Sequence, residues 1–112
     1  MNYRIIITRN FEREFKKLSK KYRSLKQDYI SFEKELLADP FHGTPIGNGA
    51  YKIRLAVKSK GKGKSRSLRV ITYIEVNVFI SGLTDIFLLS VYNKSETESI
   101  SREEILRLIR NK

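Results

Sequence analysis

The dipeptide Asp39-Pro40 divides the chain into two hydrophobic rhythms, and that change constrains the fold more than any other feature of the sequence. Ahead of it, apolar side chains recur at helical spacing: Phe11, Phe15, Leu18 and Tyr22, then Leu25, Tyr29, Phe32, Leu36 and Leu37. Such spacing lines one face of an α-helix. Two helices are expected, the first capped by Thr8 or Asn10 and the second over residues 25–38. Together they form a hairpin, and the second arm stops at Asp39 because a residue before proline avoids helical backbone. Beyond Pro40 the rhythm shortens to two: Tyr51, Ile53 and Leu55 alternate with Lys52, Arg54 and Ala56, and residues 68–80 and 84–92 read the same way. Alternation of that kind makes strands with one buried face.

The remaining segments complete the outline. Residues 3–8 form a short β-branched run, expected as a strand buried on at least one face. Residues 41–50, with Gly43, Pro45, Gly47 and Gly49, are expected as a connecting loop that supplies turns and no core. Ser81-Gly82 reads as the turn between the last two strands, which gives three antiparallel strands in meander order. Ser101 and Glu104 have the spacing of a capping box, ahead of a helix with Ile105, Leu106 and Ile109 on its apolar side. At 112 residues and 40% hydrophobic content the chain suits a single domain, residues 1–112. The expected class is α+β: an N-terminal strand and helical hairpin packed on a small, mainly antiparallel twisted sheet, with a short C-terminal helix.

Charge is distributed unevenly over that outline. Between Asp39 and Glu75 lie Lys52, Arg54, Lys58, Lys60, Lys62, Lys64, Arg66 and Arg69, with no acid among them, and the whole chain carries a formal charge of +11. Self-repulsion of that size is relieved by a polyanionic partner, either nucleic acid or an acidic protein. The run from Lys58 to Arg66 alternates cations with Gly and Ser, which lets backbone bend closely around a ligand while charged stems reach out. A solvated basic loop is the plainer reading, but strands on both sides make this loop a tethered insertion. The absence of cysteine excludes disulfides and thiolate chemistry, and a lone His42 makes no zinc site. No apolar run approaches a membrane span and no signal peptide is evident, so a cytoplasmic protein without a membrane partner is expected.

Lys52 and Arg54 share a face of their strand, Arg69 begins the next strand and Lys94 follows the last, so antiparallel pairing is expected to gather them into a basic patch. That patch suits phosphate. Arginine donates two parallel hydrogen bonds to phosphate oxygens and stays charged, which makes Arg54 and Arg69 the candidates for stabilising a phosphorane-like transition state. Tyr73 and Tyr92 offer either a stacking surface for bases or a phenol for proton transfer, and Tyr73 equally suits the core. His42 has the aptitude for acid-base work but sits in a Gly-Pro loop away from the basic strands. The acids lie almost wholly in the helices and after Lys94, which argues against a two-metal nuclease, and no cofactor is called for.

Four segments in order, Tyr51-Lys52-Ile53-Arg54-Leu55, Lys60-Gly61-Lys62-Gly63-Lys64, Arg69-Val70-Ile71-Thr72-Tyr73 and Leu89-Ser90-Val91-Tyr92-Asn93-Lys94-Ser95-Glu96, resemble the RelE/HigB branch of the RelE/ParE toxin superfamily. The resemblance spans nearly the whole chain. It implies a RelE-like fold and a type II toxin that enters the ribosomal A site and cleaves translated mRNA, until a cognate antitoxin blocks it. It further implies metal-independent chemistry, in which a ribose 2′-hydroxyl attacks the adjacent phosphate. Carried over by position, Lys52 and Arg54 match the paired basic residues, Arg69 the transition-state arginine, and Lys94 a second basic position. Lys58, Lys60, Lys62, Lys64 and Arg66 would hold RNA, as would Tyr73. Some relatives have a catalytic tyrosine six residues past the Lys94 position, where this chain has Ile100. Proton transfer would then fall to Tyr92 or to the basic residues alone. The ParE branch resembles the same fold but acts on DNA gyrase, and an inactive relative kept only to bind its antitoxin is a third reading.

Overall fold

The computed structural model describes residues 2–60, 66–97 and 99–112. The chain runs β1 (Asn2–Ile7), α1 (Arg9–Lys21), α2 (Leu25–Ala38), β2 (Thr44–Gly47), β3 (Ala50–Ala56), β4 (Ser67–Val76), β5 (Leu83–Tyr92) and α3 (Arg102–Arg110), with one 3₁₀ turn at Lys58–Lys60. The strands make one sheet in the order β1-β5-β4-β3-β2. The three central strands form the antiparallel meander expected from their alternation. β1 joins β5 in parallel, Asn2 beside Leu83 and Ile7 beside Leu88. The α+β architecture is as the two hydrophobic rhythms predict.

Each element has a local cause. Thr8 caps α1, its hydroxyl accepting from the Phe11 amide at 3.3 Å. α2 ends at Ala38, one residue before the Asp39-Pro40 stop. Ser101 caps α3 by accepting from the Glu104 amide at 3.1 Å, while the Glu104 carboxylate turns to Arg107 instead of closing the box. Aromatic rings lock the helical hairpin, with Phe15 edge-on to Tyr29 at 5.4 Å and Phe11 tilted against it at 6.3 Å.

The sheet has two covered faces. Phe11, Leu25, Phe32 and Leu36 of the hairpin pack on Ile53, Leu55, Leu68, Val70, Ile86, Leu88 and Val91. The opposite face carries a smaller core, where Leu108 of α3 meets Ile71, Leu89 and Tyr92. Switching of β5 between the faces depends on one irregularity. Ile71 pairs with Ser90 but the next residue, Thr72, pairs with Leu88, so Leu89 is the extra residue of a β-bulge. The Glu14 carboxylate of α1 fills this site, its Oε1 accepting from Ser90 Oγ at 2.8 Å and from the Val91 amide at 3.1 Å. As a result Val91 keeps the hairpin side and Tyr92 turns to the other.

Four expectations need correction. Residues 41–50 are more than a loop, because Thr44–Gly47 pairs as the edge strand β2 and Ile46 packs against the smaller core. Gly43 permits this close approach: a Cβ there would stand 2.6 Å from the Lys52 carbonyl oxygen and closer still to Ile53. The strand expected over 68–80 stops at Val76, because the Asn77 side-chain oxygen accepts from the amides of Phe79 and Ile80, both at 2.8 Å, and folds the chain into a turn. Leu37 lies off the buried stripe of α2, and α3 buries Ile105 with Leu108 in place of Leu106.

Candidate functional site

Antiparallel register builds a row across the face opposite the helical hairpin. Arg54 of β3 stands directly opposite Arg69 of β4, and Arg69 directly opposite Tyr92 of β5. Directly opposed residues of neighbouring strands share a face. Lys52 lies two residues back from Arg54 on the same face, opposite Ile71. Between Lys52 and Tyr92 a cleft of about 300 Å³ opens, lined also by Ile46, Arg102 and Ile105. The basic pair, the arginine of the second strand and the tyrosine of the third are thus brought together. Lys94 is exposed in the turn beyond β5, two residues past Tyr92.

Arg69 is the distinctive member. It is only 8% exposed, yet its guanidinium donates to a neutral partner, Ser67 Oγ, at 2.9 Å. Among the described residues no carboxylate pairs with it. A buried cation without a counter-ion is costly to hold, and Arg54 beside it adds like-charge repulsion. An incoming phosphate relieves both. Tyr92, also 8% exposed, has its phenol pushed above the ordinary value by burial, and the nearby Arg69 partly opposes that rise.

Lys60 is not an outward-reaching loop cation. The start of the insertion is pinned to α2, with the Lys58 amide donating to Asp28 at 3.1 Å and the Ser59 amide to Ser24 Oγ at 2.9 Å. Lys60 Nζ then donates to Asn93 Oδ1 at 3.0 Å and lies 5.6 Å above the Tyr22 ring. Its ammonium is held below the ordinary lysine value by burial first, then by Lys21 and Arg69. Asn93 is itself fixed, donating to the Tyr22 hydroxyl at 2.7 Å in the interior. Lys58 and Arg66 are exposed, and Lys62 and Lys64 lie outside the described residues.

Tyr73 sits two rungs beyond Ile71, opposite Ala50 and Phe87. Its ring packs on Phe87 at 6.1 Å with Lys112 Nζ 5.3 Å above it, and its hydroxyl donates to Glu75 at 3.0 Å. Burial and then Glu75 raise its phenol above the ordinary value. Both ring and hydroxyl therefore have partners within the fold. His42 is exposed and bonded through Nδ1 to the Asp39 carbonyl, away from the row. Ile100, at the place where some relatives carry tyrosine, packs against the smaller core. Sequence reasoning missed Arg102, Asn93 and Glu14, because their roles depend on where α3 and the bulge fall.

The architecture thus defined is a five-stranded α+β sheet with a helical hairpin on one face and a short helix on the other, and it is the RelE-like fold. One solved structure it resembles is a double arginine-to-alanine mutant of the E. coli toxin RelE in the free state, with a TM-score of 0.53 and 20% sequence identity over 88% of this chain and 90% of that one. No family model matches the sequence. Among the described residues no helix is long and apolar enough to cross a membrane.

Proposed function

We propose that this chain is a type II toxin that cleaves mRNA at the ribosome and is neutralised by a cognate antitoxin. The observation that carries the reading is the row Arg54-Arg69-Tyr92, with a buried arginine at its centre that pairs with no carboxylate among the described residues, on the face opposite the helical hairpin of a RelE-like fold. Arg69 donates to the non-bridging oxygens of the scissile phosphate, and Arg54 and Lys52 hold the flanking backbone. A ribose 2′-hydroxyl attacks the adjacent phosphorus, a cyclic phosphate forms, and the 5′-oxygen leaves with a proton. Tyr92 passes that proton in this reading, which its pairing directly opposite Arg69 supports. Lys94 and Arg66 extend the basic surface toward the message, with Lys58 at the root of the loop. The ribosomal A site, mRNA and an acidic, partly apolar antitoxin are the partners, and the cytoplasm is the compartment.

The test is a map of mRNA 5′ ends minutes after induction in bacteria, beside the same map for Arg69→Ala. New 5′-hydroxyl ends confined to translated regions and lost in the variant are expected. Growth arrest with intact mRNA and inhibited gyrase would overturn the nuclease reading in favour of a ParE-type action.

A further inference from the structure

A second basic feature lies outside the row. An open groove of about 800 Å³ runs between α1 and the segment after β5, and Lys17, Lys20, Lys21, Tyr92, Asn93 and Glu96 line it. Tyr92 lines both this groove and the cleft beside Lys52, so the two meet at one side chain. Lys17, Lys20 and Lys21 recur at i, i+3 and i+4, which places them on one side of α1 within about one 5.4 Å turn.

Two carboxylates border the groove and they behave differently. Glu14 is turned inward, its Oε1 saturated by Asn10, Ser90 and the Val91 amide. Glu96 instead faces the cations. Lys21 Nζ meets its Oε1 at 2.7 Å and holds its carboxyl below the ordinary value, with Lys17 and Lys60 adding to the effect. This bridge joins side chains that are 57% and 55% exposed, so water and salt already compete for it and opening it is cheap. One anion therefore sits where lysines from α1 and from the 3₁₀ turn converge, beside the buried Asn93 that anchors Lys60.

We infer that this groove is a second phosphate site, which takes the backbone of the RNA strand leaving the Arg54-Arg69 row, and that Glu96 holds the phosphate's place until RNA displaces it. An RNA strand fits better than an acidic protein segment because the groove ends at Tyr92, inside the row. The inference rests on the nuclease reading for the identity of the strand, but its test does not require cleavage.

The probe is a short fluorescein-labelled 2′-O-methyl RNA, which has no free 2′-hydroxyl to attack with, titrated with the purified chain by anisotropy. Over about 50 to 200 mM KCl, loss of two phosphate contacts in Lys17→Ala/Lys21→Ala lowers the salt slope by about 1.4 and weakens binding at 0.1 M about tenfold or more. Glu96→Gln tightens binding. A bridge that merely braced the loop would make both variants weaker, so opposite directions separate competition from bracing. Lys26→Ala/Lys34→Ala on α2 removes the same charge away from the groove and keeps the slope. Equal losses in the α2 control, or a Glu96→Gln variant that binds more weakly, would overturn the proposal. So would groove variants that keep RNA affinity but lose binding to poly-glutamate. If these shifts occur while induced cells show no new mRNA ends, the groove stands and the nuclease assignment falls.

Discussion

Replacing Arg69 with methionine should make the protein more stable and nearly inactive. Arg69 is 8% exposed, its guanidinium is bonded to one neutral hydroxyl, and the residue stands directly opposite Arg54. Like charges directly opposed across strands cost about 0.2–1 kcal/mol. Exchange of a buried ion pair for apolar side chains of similar volume is often neutral or favourable by about 1–4 kcal/mol in measured cases, and a lone buried cation lacks even the Coulombic gain of such a pair. Arg69→Met removes both penalties, so a gain of about 1 kcal/mol is expected, which at about 2.1 cal/mol/K per residue raises Tm by about 4 °C in a chain of 112 residues. On the proposed nuclease reading, the reacting phosphate loses its central donor. By analogy with removal of one oxyanion donor, the cleavage rate should fall about 10²–10³-fold, equivalent to about 2.7–4 kcal/mol. Thermal melting by circular dichroism and primer extension on an actively translated message measure the two effects. A Tm several degrees lower, with cleavage lost, would show that Arg69 holds the fold and is not a destabilising buried charge. Unchanged cleavage would remove Arg69 from the chemistry.

Other perturbations have equally definite directions. Tyr92→Phe keeps the ring that packs on Ile71 and Leu108, so melting should be nearly unchanged while the maximal cleavage rate falls and binding to uncleavable RNA does not; equal cleavage by the variant would take the hydroxyl out of the mechanism. Burial raises the Glu14 carboxyl above its ordinary value, so the folded state prefers the protonated form: its stabilising contribution is full at acidic pH and is lost as the pH rises through the raised value. Denaturant titrations should accordingly show the protein's stability relative to Glu14→Gln declining as the pH rises past the ordinary carboxyl value, and a difference that grows with pH would contradict this. Gly43→Ala drives a methyl into Ile53 and the Lys52 carbonyl and should cost about 1–3 kcal/mol by denaturant unfolding, unlike the same change at an open surface site. Phe79 is 92% exposed at the tip of the β4–β5 turn, so Phe79→Ser should shift stability by less than about 0.5 kcal/mol.

The fold was legible wherever hydrophobic period alone decided it. Helical spacing through Leu36 and alternation from Tyr51 gave the hairpin and the meander, because each element buries one face and must repeat accordingly. β2 was hidden, since Thr44–Gly47 contains a proline and a glycine and shows no alternation; it forms because Gly43 lets the chain approach β3. At the site, Arg54 and Arg69 followed from strand register, but the place of Tyr92 did not. By simple alternation from Ile86 and Leu88, Tyr92 would point toward α1, and the bulge at Leu89 reverses it. Its stabiliser, Glu14, lies 76 residues earlier in a helix that reads as ordinary amphipathic sequence. Lys60 was misplaced for a related reason, because its anchor Asn93 is 33 residues away and no local pattern announces it.

The parallel pairing of β1 with β5 also sets an order of events. Asn2 finds Leu83 and Thr8 bonds to the Leu88 carbonyl, so the first strand made waits for the last one before it has any partner in the sheet. Such distant pairing folds late, since a long loop must be closed before any contact rewards it. Synthesis adds about 5–20 residues per second, so the interval between the first and last strands is several seconds. During that time neither the sheet edge at β1 nor the Arg69-Tyr92 pair exists. An unfinished chain therefore carries the cations without the row that aligns them, and the site is assembled only on a polypeptide that has been translated through residue 92.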